Sequence, residues 1–206
     1  MTRINAPLNR RRLAAVSILA LSLGLSACAG GMSHDRMAAG HAMDQTVDVG
    51  GSAMYPSKTI VANAVNSADH TTLVAAVKAA GLVDALSTPG PFTVFAPTNA
   101  AFDALPAGTV DALLEPQNKP MLTGVLTYHV VPGRLDRNDL MARIRDGGGS
   151  ARLTTLSGGT LTAMMNGPRN IVIKDAHGQI ADISTYDVMQ SNGVIHVVDH
   201  VLLPQG

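Results

Sequence analysis

The hydrophobic pattern of this 206-residue chain changes period near Gly147, and this change limits the fold more than any other feature. Before Gly147, apolar residues recur every three to four positions, as they do along one face of a helix. After Gly147, short runs rich in β-branched residues alternate with glycine turns, as in consecutive strands. Helices followed by a mainly antiparallel sheet predict an α+β fold. No internal repeat divides the sequence, so we expect one domain.

The first half of the pattern predicts a layer of short helices. One of them is expected to stop at Gly81, since glycine readily adopts the left-handed conformation that ends many helices. A strand over Phe92–Ala96 interrupts the layer, and Thr98 after it is a suitable N-cap for the next helix. A longer helix that begins at Pro120 is expected to lead into a strand over Tyr128–Val131.

The second half predicts six strands that are separated by turn signals such as Asn166-Gly167 and Asn192-Gly193. The six runs are 152–156, 160–165, 171–174, 179–183, 187–190 and 194–199. Each run has a length that is typical of a strand and is shorter than an ordinary helix. A sheet built from these hairpins would form the second layer of the α+β fold.

The start of the chain predicts a targeting segment that is not part of this fold. Arg10, Arg11 and Arg12 precede the apolar stretch Leu13–Ala27, which is shorter than the roughly 20 residues that cross a bilayer core. A basic flank, a short apolar run and small residues at its end are typical of a secretory signal peptide, here residues 1–27. Cys28, which follows, is the single cysteine and excludes an intramolecular disulfide framework.

The end of this segment, Leu25-Ser26-Ala27-Cys28, resembles the lipobox of bacterial lipoproteins. The resemblance implies cleavage before Cys28, acylation of the cysteine with chains such as palmitate, and a membrane anchor in the cell envelope. Ala29 stands where Asp would alter sorting, which implies the outer membrane, facing the periplasm or the surface. Residues 28–55 are then expected to be a flexible tether, and residues 56–206 the folded domain.

The predicted tether contains a cluster of soft metal ligands: Met32, His34, Met37, His41 and Met43. Thioether and imidazole groups suit Cu(I), and a flexible segment would let them converge on one ion. Copper binding is therefore a lesser hypothesis beside a small-residue linker in which these side chains bind nothing. The rest of the sequence predicts no cofactor.

Three segments resemble the fasciclin domain family: Phe92-Thr-Val-Phe-Ala-Pro-Thr-Asn-Ala-Ala-Phe102, Tyr128-His-Val-Val131, and Asn192-Gly-Val-Ile-His-Val-Val-Asp-His-Val-Leu-Leu-Pro204. They have the order and spacing of the family across residues 56–206. The resemblance implies a wedge-shaped fasciclin-type β-sandwich with an N-terminal layer of short helices. It also implies adhesion or extracellular partner binding without catalysis, where the partner is a protein or polysaccharide on a cell surface or in the matrix.

The resemblance further implies where a partner would bind. In animal members, a Tyr-His segment and an Asp-Ile dipeptide have been tied to receptor contact. The matching residues here are Tyr128 with His129, and Asp187 with Val188 in place of isoleucine. These four residues are the partner-binding candidates.

Structural roles compete with binding at several of these positions. Thr98 and Asn99 follow a strand and open a helix, so their side chains suit the capping of free backbone N–H groups. His129 lies in an apolar run, where a buried imidazole needs a hydrogen-bond partner. We expect this partner near the Thr98–Asn99 turn and favour the structural role of His129 over direct contact.

Other histidines and serines do not predict metal binding or catalysis. His196 and His200 lie in a β-branched run, where four residues of a strand span about 13 Å, too far for a shared ion. The sequence contains no nucleophile elbow, phosphate loop or dinucleotide fingerprint. We therefore predict that the protein is not an enzyme.

Charge and composition argue against a nucleic-acid partner. The first 27 residues hold four arginines and no acidic residue, so the rest of the chain carries 11 basic and 15 acidic side chains. Nucleic-acid binding draws on clustered Lys and Arg, which this acidic remainder does not offer. Aromatic residues make up 3% of the chain and Trp is absent, so base-stacking surfaces are not expected.

Two functional hypotheses follow. The first is a lipid-anchored envelope protein whose domain binds an external partner. The second is a carrier of a small apolar ligand, held in a crevice between the helices and the sheet. The chain's 10 methionines would supply adaptable walls for such a crevice.

Overall fold

The computed structural model describes residues 46–205. The predicted signal peptide, Cys28 and the Met/His cluster lie outside the described residues. Within residues 46–205 the α-helices are α1 Ile60–Ala64, α2 Thr71–Ala80, α3 Val83–Ser87, α4 Asn99–Asp103, α5 Thr109–Leu114, α6 Lys119–Tyr128 and α7 Arg137–Asp146. Two 3-10 turns cover Ala68–His70 and Pro116–Asn118. No helix in this part of the chain has the length and apolarity needed to cross a bilayer.

The strands alternate with the helices at first and then follow one another. They are β1 Val47–Val49, β2 Ser52–Met54, β3 Phe92–Pro97, β4 Val130–Pro132, β5 Ser150–Thr154, β6 Thr160–Asn166, β7 Asn170–Lys174, β8 Ile180–Gln190 and β9 Gly193–Val198. This order confirms the α+β fold class. Gly81 ends α2 with a φ of 73°, as the sequence predicted.

Seven of these strands form one sheet in the order β4-β3-β9-β8-β7-β6-β5. The β3–β9 pair is parallel, and the other pairs are antiparallel. β8 is a single strand where the sequence predicted two runs, 179–183 and 187–190. Its register with β9 shifts between Ile183 and Val188, because bulges interrupt the pairing there.

The strand β9, which lies between β3 and β8, is buried along its whole length and separates two parts of the core. Ile195 and Val197 face the cluster formed with α1 to α6. Val198 faces the second cluster, which includes Leu140 and Ile144 of α7. Alternate residues of one strand therefore bind the helical layer to one face of the sheet and α7 to the other.

Two strands, β1 and β2, lie within residues 28–55, where the sequence predicted a flexible tether, so the last part of that stretch is structured. Strands β1 and β2 pair as a hairpin around Gly50 and Gly51, whose φ angles are 61° and 73°. Val49 and Met54 of this hairpin are buried in the core. Two glycines with positive φ allow the tight turn, and the apolar residues on either side anchor it. Composition alone suggested a linker because this stretch is short and rich in small residues.

Candidate functional site

An apolar pocket lies between three short helices and the sheet. Its volume is about 130 Å³, and α1, α2 and α3 form its walls. Its lining includes Ile60, Val61, Leu73, Val77, Leu86 and Leu126. Val65, which is 47% exposed, and the exposed Lys78 also line it and mark its open side.

His129 lies in the floor of this pocket, and both of its ring nitrogens are bonded within the protein. Nδ1 lies 2.8 Å from the carbonyl oxygen of Val125, and the Leu202 amide donates to Nε2 over 2.9 Å. These bonds select the neutral tautomer with hydrogen on Nδ1. Burial lowers the pKa of His129 to about 4, although the Val125 carbonyl opposes this shift. The imidazole therefore offers a ligand neither a free donor nor a free acceptor.

The prediction for the surroundings of His129 was wrong in two respects. α6 continues through Tyr128, so His129 is the C-cap of a helix rather than a strand residue. Its partners are Val125 and Leu202, not the Thr98–Asn99 turn. The apolar, β-branched neighbours suggested a strand, but here the helix continues up to the strand that begins at Val130. His129 therefore ties α6 to the segment that follows β9.

Thr98 and Asn99 act on two different helices. Thr98 is the N-cap of α4, and its Oγ1 accepts from the Ala101 amide at 3.3 Å. The Asn99 side chain instead accepts from the Thr72 amide at 3.0 Å and donates to the Ala68 carbonyl at 2.8 Å. Asn99 thereby supplies an acceptor to the first turn of α2. The start of α4 is thus joined to a helix that forms a wall of the pocket.

Asn192 positions two walls of the pocket, although its sequence context, Asn192-Gly193, indicates only a turn. Its Oδ1 accepts from the Ile60 amide at 3.0 Å, at the start of α1. Its Nδ2 donates to the carbonyls of Leu86 and Thr88 at 2.8 and 2.9 Å, at the end of α3. Asn192 is buried, so these bonds satisfy polar groups that water does not reach. The β8–β9 turn therefore fixes α1 and α3 relative to each other.

Tyr128 is buried and does not offer a contact surface in this structure. Its hydroxyl donates to the Thr160 carbonyl at 2.8 Å. Gly159 packs against its ring so closely that a Cβ at this position would lie 2.6 Å from the ring carbon Cε2. Burial raises the pKa of the phenol. Tyr128 therefore joins the end of α6 to the turn between β5 and β6.

Asp187 and Val188 also occupy structural positions. Val188 is 1% exposed and pairs with Ile195 in the core beneath the helices. Asp187 adopts a φ of 57° in the bulged part of β8. Its Oδ1 accepts from the backbone amide of Arg137 at 2.7 Å, at the first residue of α7. Of the four partner-binding candidates, only Asp187 retains appreciable exposure.

Substitution of Asp187 separates its structural role from a binding role. We expect Asp187→Ala to lower the free energy of unfolding by about 2 kcal/mol, since it removes a bond to a helix N-terminus and strains a left-handed residue. Asp187→Asn should cost less than about 1 kcal/mol, because asparagine can accept the same bond and tolerates positive φ. Urea unfolding of both variants measures the difference. Equal stability of the alanine and asparagine variants would contradict this assignment.

His196 and His200 occupy different environments. His196 is buried in β9, where its Nε2 lies 2.9 Å from the Leu135 carbonyl and its Nδ1 accepts from the Asp187 amide at 3.3 Å. Burial lowers its pKa. His200 lies after the strand, and its Nδ1 is 2.8 Å from an oxygen of Asp199. The bonds of His196 leave it no free lone pair for an ion.

Comparison with known proteins gives concordant results. The sequence model of the Fasciclin domain matches residues 68–204. The Synechocystis protein named sll1483 is 45% identical over 176 residues, which cover 84% of this chain and 89% of that protein. The cell surface glycolipoprotein MPB83 of Mycobacterium bovis is 37% identical over 123 residues, which cover 60% of this chain and 48% of that protein.

A solved structure supports the same fold. The FAS1 domain pair of the insect cell adhesion molecule fasciclin I matches with a TM-score of 0.50 and 21% identity. The match covers 62% of this chain and 42% of that one. At this identity the likeness concerns the fold alone, whereas the family match rests on the sequence over most of the described domain. The chain belongs to the fasciclin domain family.

Proposed function

We propose that this protein is a non-catalytic binding protein of the cell envelope. Its domain would bind a protein or polysaccharide on a cell surface or in the matrix. Two relatives support this placement, since one is named a cell surface glycolipoprotein and the other is a cell adhesion molecule. The observation that carries the proposal is the apolar pocket, whose internal polar group, His129, is already fully bonded. Such a pocket provides apolar contact area without a reactive group.

The pocket would receive one apolar anchor of the partner. Interfaces commonly depend on a few large side chains that fill pockets on the opposite surface. Val65 stands exposed at the open side and extends the apolar area beyond the pocket itself. Tyr128, His129 and Val188 would act from beneath, by holding the floor and the surrounding core in place.

Filling the pocket should abolish binding without unfolding the domain. Ala64 lines the pocket, whereas Ala62 lies on the same helix and is exposed. We expect Ala64→Leu to leave the melting temperature unchanged or raise it slightly, because the added methylenes fill a void. In a strain that lacks the native gene, the wild-type chain should restore cell aggregation and the Ala64→Leu chain should not.

Ala62→Leu is the matched control, since it makes the same change on the outer side of α1. It should restore aggregation as well as the wild-type chain does, at equal surface abundance. If Ala64→Leu also restores aggregation, the pocket is not the contact site. If deletion of the gene leaves aggregation unchanged, the adhesion function itself is excluded.

The proposed location requires a lipid anchor on Cys28. Its support is the segment Leu25-Ser26-Ala27-Cys28 together with the name of MPB83. We expect cells fed radiolabelled palmitate to label the wild-type chain and leave Cys28→Ser unlabelled. The variant should also move from the membrane fraction to the soluble fraction, because the attached acyl chains supply the membrane affinity. Equal labelling of both chains would exclude this anchor.

The pocket also favours a second function, carriage of a small apolar ligand. A cavity lined by Leu, Ile, Val and Phe can take up a hydrocarbon of matching size. Such a ligand would enter between Val65 and Lys78, where the lining is exposed. Protein purified from its own host should then show one bound apolar compound in native mass spectra, and Ala64→Leu should show none.

A further inference from the structure

We propose that the pocket binds the hydrocarbon end of a small carboxylic acid and that Lys78 binds the carboxylate at the open side. This inference rests on the carrier function proposed above and specifies its ligand. Three features of the site carry it: the size of the pocket, the lack of free polar groups in its floor, and the charge at its opening.

The size of the pocket sets the size of the hydrocarbon end. The volume of about 130 Å³ is close to that of an apolar cavity of about 150 Å³ that binds benzene. The pocket therefore accommodates one six-membered ring or a chain of similar bulk. A larger ligand would have to extend outward past Val65 and Lys78, which line the exposed side.

The floor of the pocket excludes a polar group from the inner end of the ligand. His129 is the polar side chain in the floor, and Val125 and Leu202 already occupy its two nitrogens. The other floor residues are apolar and include Val94, Leu126 and Val130. A hydroxyl or carboxylate buried there would have no hydrogen-bond partner, which disfavours that orientation of the ligand. The polar end of the ligand must therefore face outward.

Lys78 supplies positive charge where that polar end would lie. It is the charged side chain that lines the pocket, and it stands in the last turn of α2. Among residues 46–205, no carboxylate lies within 4.0 Å of its ammonium group. A second ammonium, that of Lys119, lies next to Gly81 at the same helix end. The full positive charge of Lys78, which lines the pocket, exceeds the partial negative charge of the helix C-terminus, so the opening favours an anion over a cation.

Three probes that share one hydrocarbon end test the proposal: 3-phenylpropionate, 3-phenylpropanol and 3-phenylpropylamine. Their affinities for the purified full chain can be measured by calorimetric titration in detergent-free buffer. We expect the acid to bind about fivefold more tightly than the alcohol, as an exposed ion pair would provide. The amine should bind more weakly than the alcohol. Raising the salt concentration should weaken binding of the acid alone.

Variants separate the contribution of Lys78 to probe binding from the contribution of the apolar pocket. Lys78→Gln should reduce affinity for the acid to that of the alcohol and leave the alcohol unaffected. Ala64→Leu should bind none of the three probes although its melting temperature is unchanged, whereas Ala62→Leu should bind all three. If Ala64→Leu unfolds, Val74→Phe fills the same pocket from α2 and replaces it.

The outcomes separate this inference from the carrier function. Equal affinity of the wild-type chain for acid and alcohol would overturn the carboxylate assignment and leave apolar carriage standing. A preference for the acid that persists in Lys78→Gln would also overturn it. Failure of all three probes to bind the wild-type chain would overturn both the carboxylate assignment and the carrier function.

Discussion

His129→Ala is expected to lower the free energy of unfolding by about 4 kcal/mol, from lost packing and an unsatisfied buried amide. The Leu202 amide would lose the nitrogen that accepts its hydrogen at 2.9 Å, and water does not reach this position. The Val125 carbonyl would lose its partner as well. Urea unfolding followed by circular dichroism measures the change. A loss of this size would make His129 a central element of domain stability.

His200→Ala is the matched control, because its side chain is 41% exposed and bonds only a neighbouring carboxylate on the surface. We expect it to change stability by less than about 0.5 kcal/mol. A His129→Ala chain that unfolds at the same urea concentration as the wild type would refute the structural role. If that stable variant also lost cell aggregation, His129 would be a contact residue instead.

Acidification from pH 7 to pH 4 is expected to destabilise the domain by about 3 kcal/mol through His129 alone. Burial lowers the pKa of His129 from 6.5 to about 4 in the folded protein. Between these two pKa values the unfolded chain binds a proton that the folded chain does not, so the free energy of unfolding decreases as the pH falls. The contribution of neutral His129 to stability is complete above pH 6.5 and is lost progressively between pH 6.5 and pH 4. His70 and His196 add to this trend, since burial lowers the pKa of each.

Urea unfolding at half-unit intervals between pH 7.5 and pH 4 tests this dependence. His129→Gln should be less stable than the wild type at pH 7 and should show a shallower decline, because glutamine does not titrate. The His200→Ala profile should parallel the wild type. A wild-type stability that stays constant from pH 7 to pH 4.5 would contradict the prediction.

The helices and strands that local sequence determines could be predicted, but several of their first and last residues could not. The strands β6 and β7 were found nearly at their bounds because glycine turns and β-branched runs are short-range signals. β8 was split into two because the bulge before Val188 resembles a turn in sequence. The hairpin β1–β2 was missed because three-residue strands between small residues resemble a linker.

The candidate site depends on contacts that join distant parts of the chain, so the sequence could not define it. The sequence pattern predicted the apolar faces of α1 and α2, but it did not predict the pocket that lies between these helices. Asn192 reaches across 132 residues to Ile60 and 106 residues to Leu86. His129 reaches across 73 residues to Leu202. Local patterns assigned these two residues a turn and a strand, whereas their roles follow from tertiary packing.

The place of β9 in the chain has a consequence for biosynthesis. This strand lies between β3 and β8 in the sheet, although it is the last strand in the described part of the chain. Before β9 has been synthesised, β3 can pair only with β4 and β8 only with β7, because β9 is the strand that joins these two parts of the sheet. Premature termination upstream of Gly193 would yield a product in which β3–β4 and β5–β8 are not joined into one sheet.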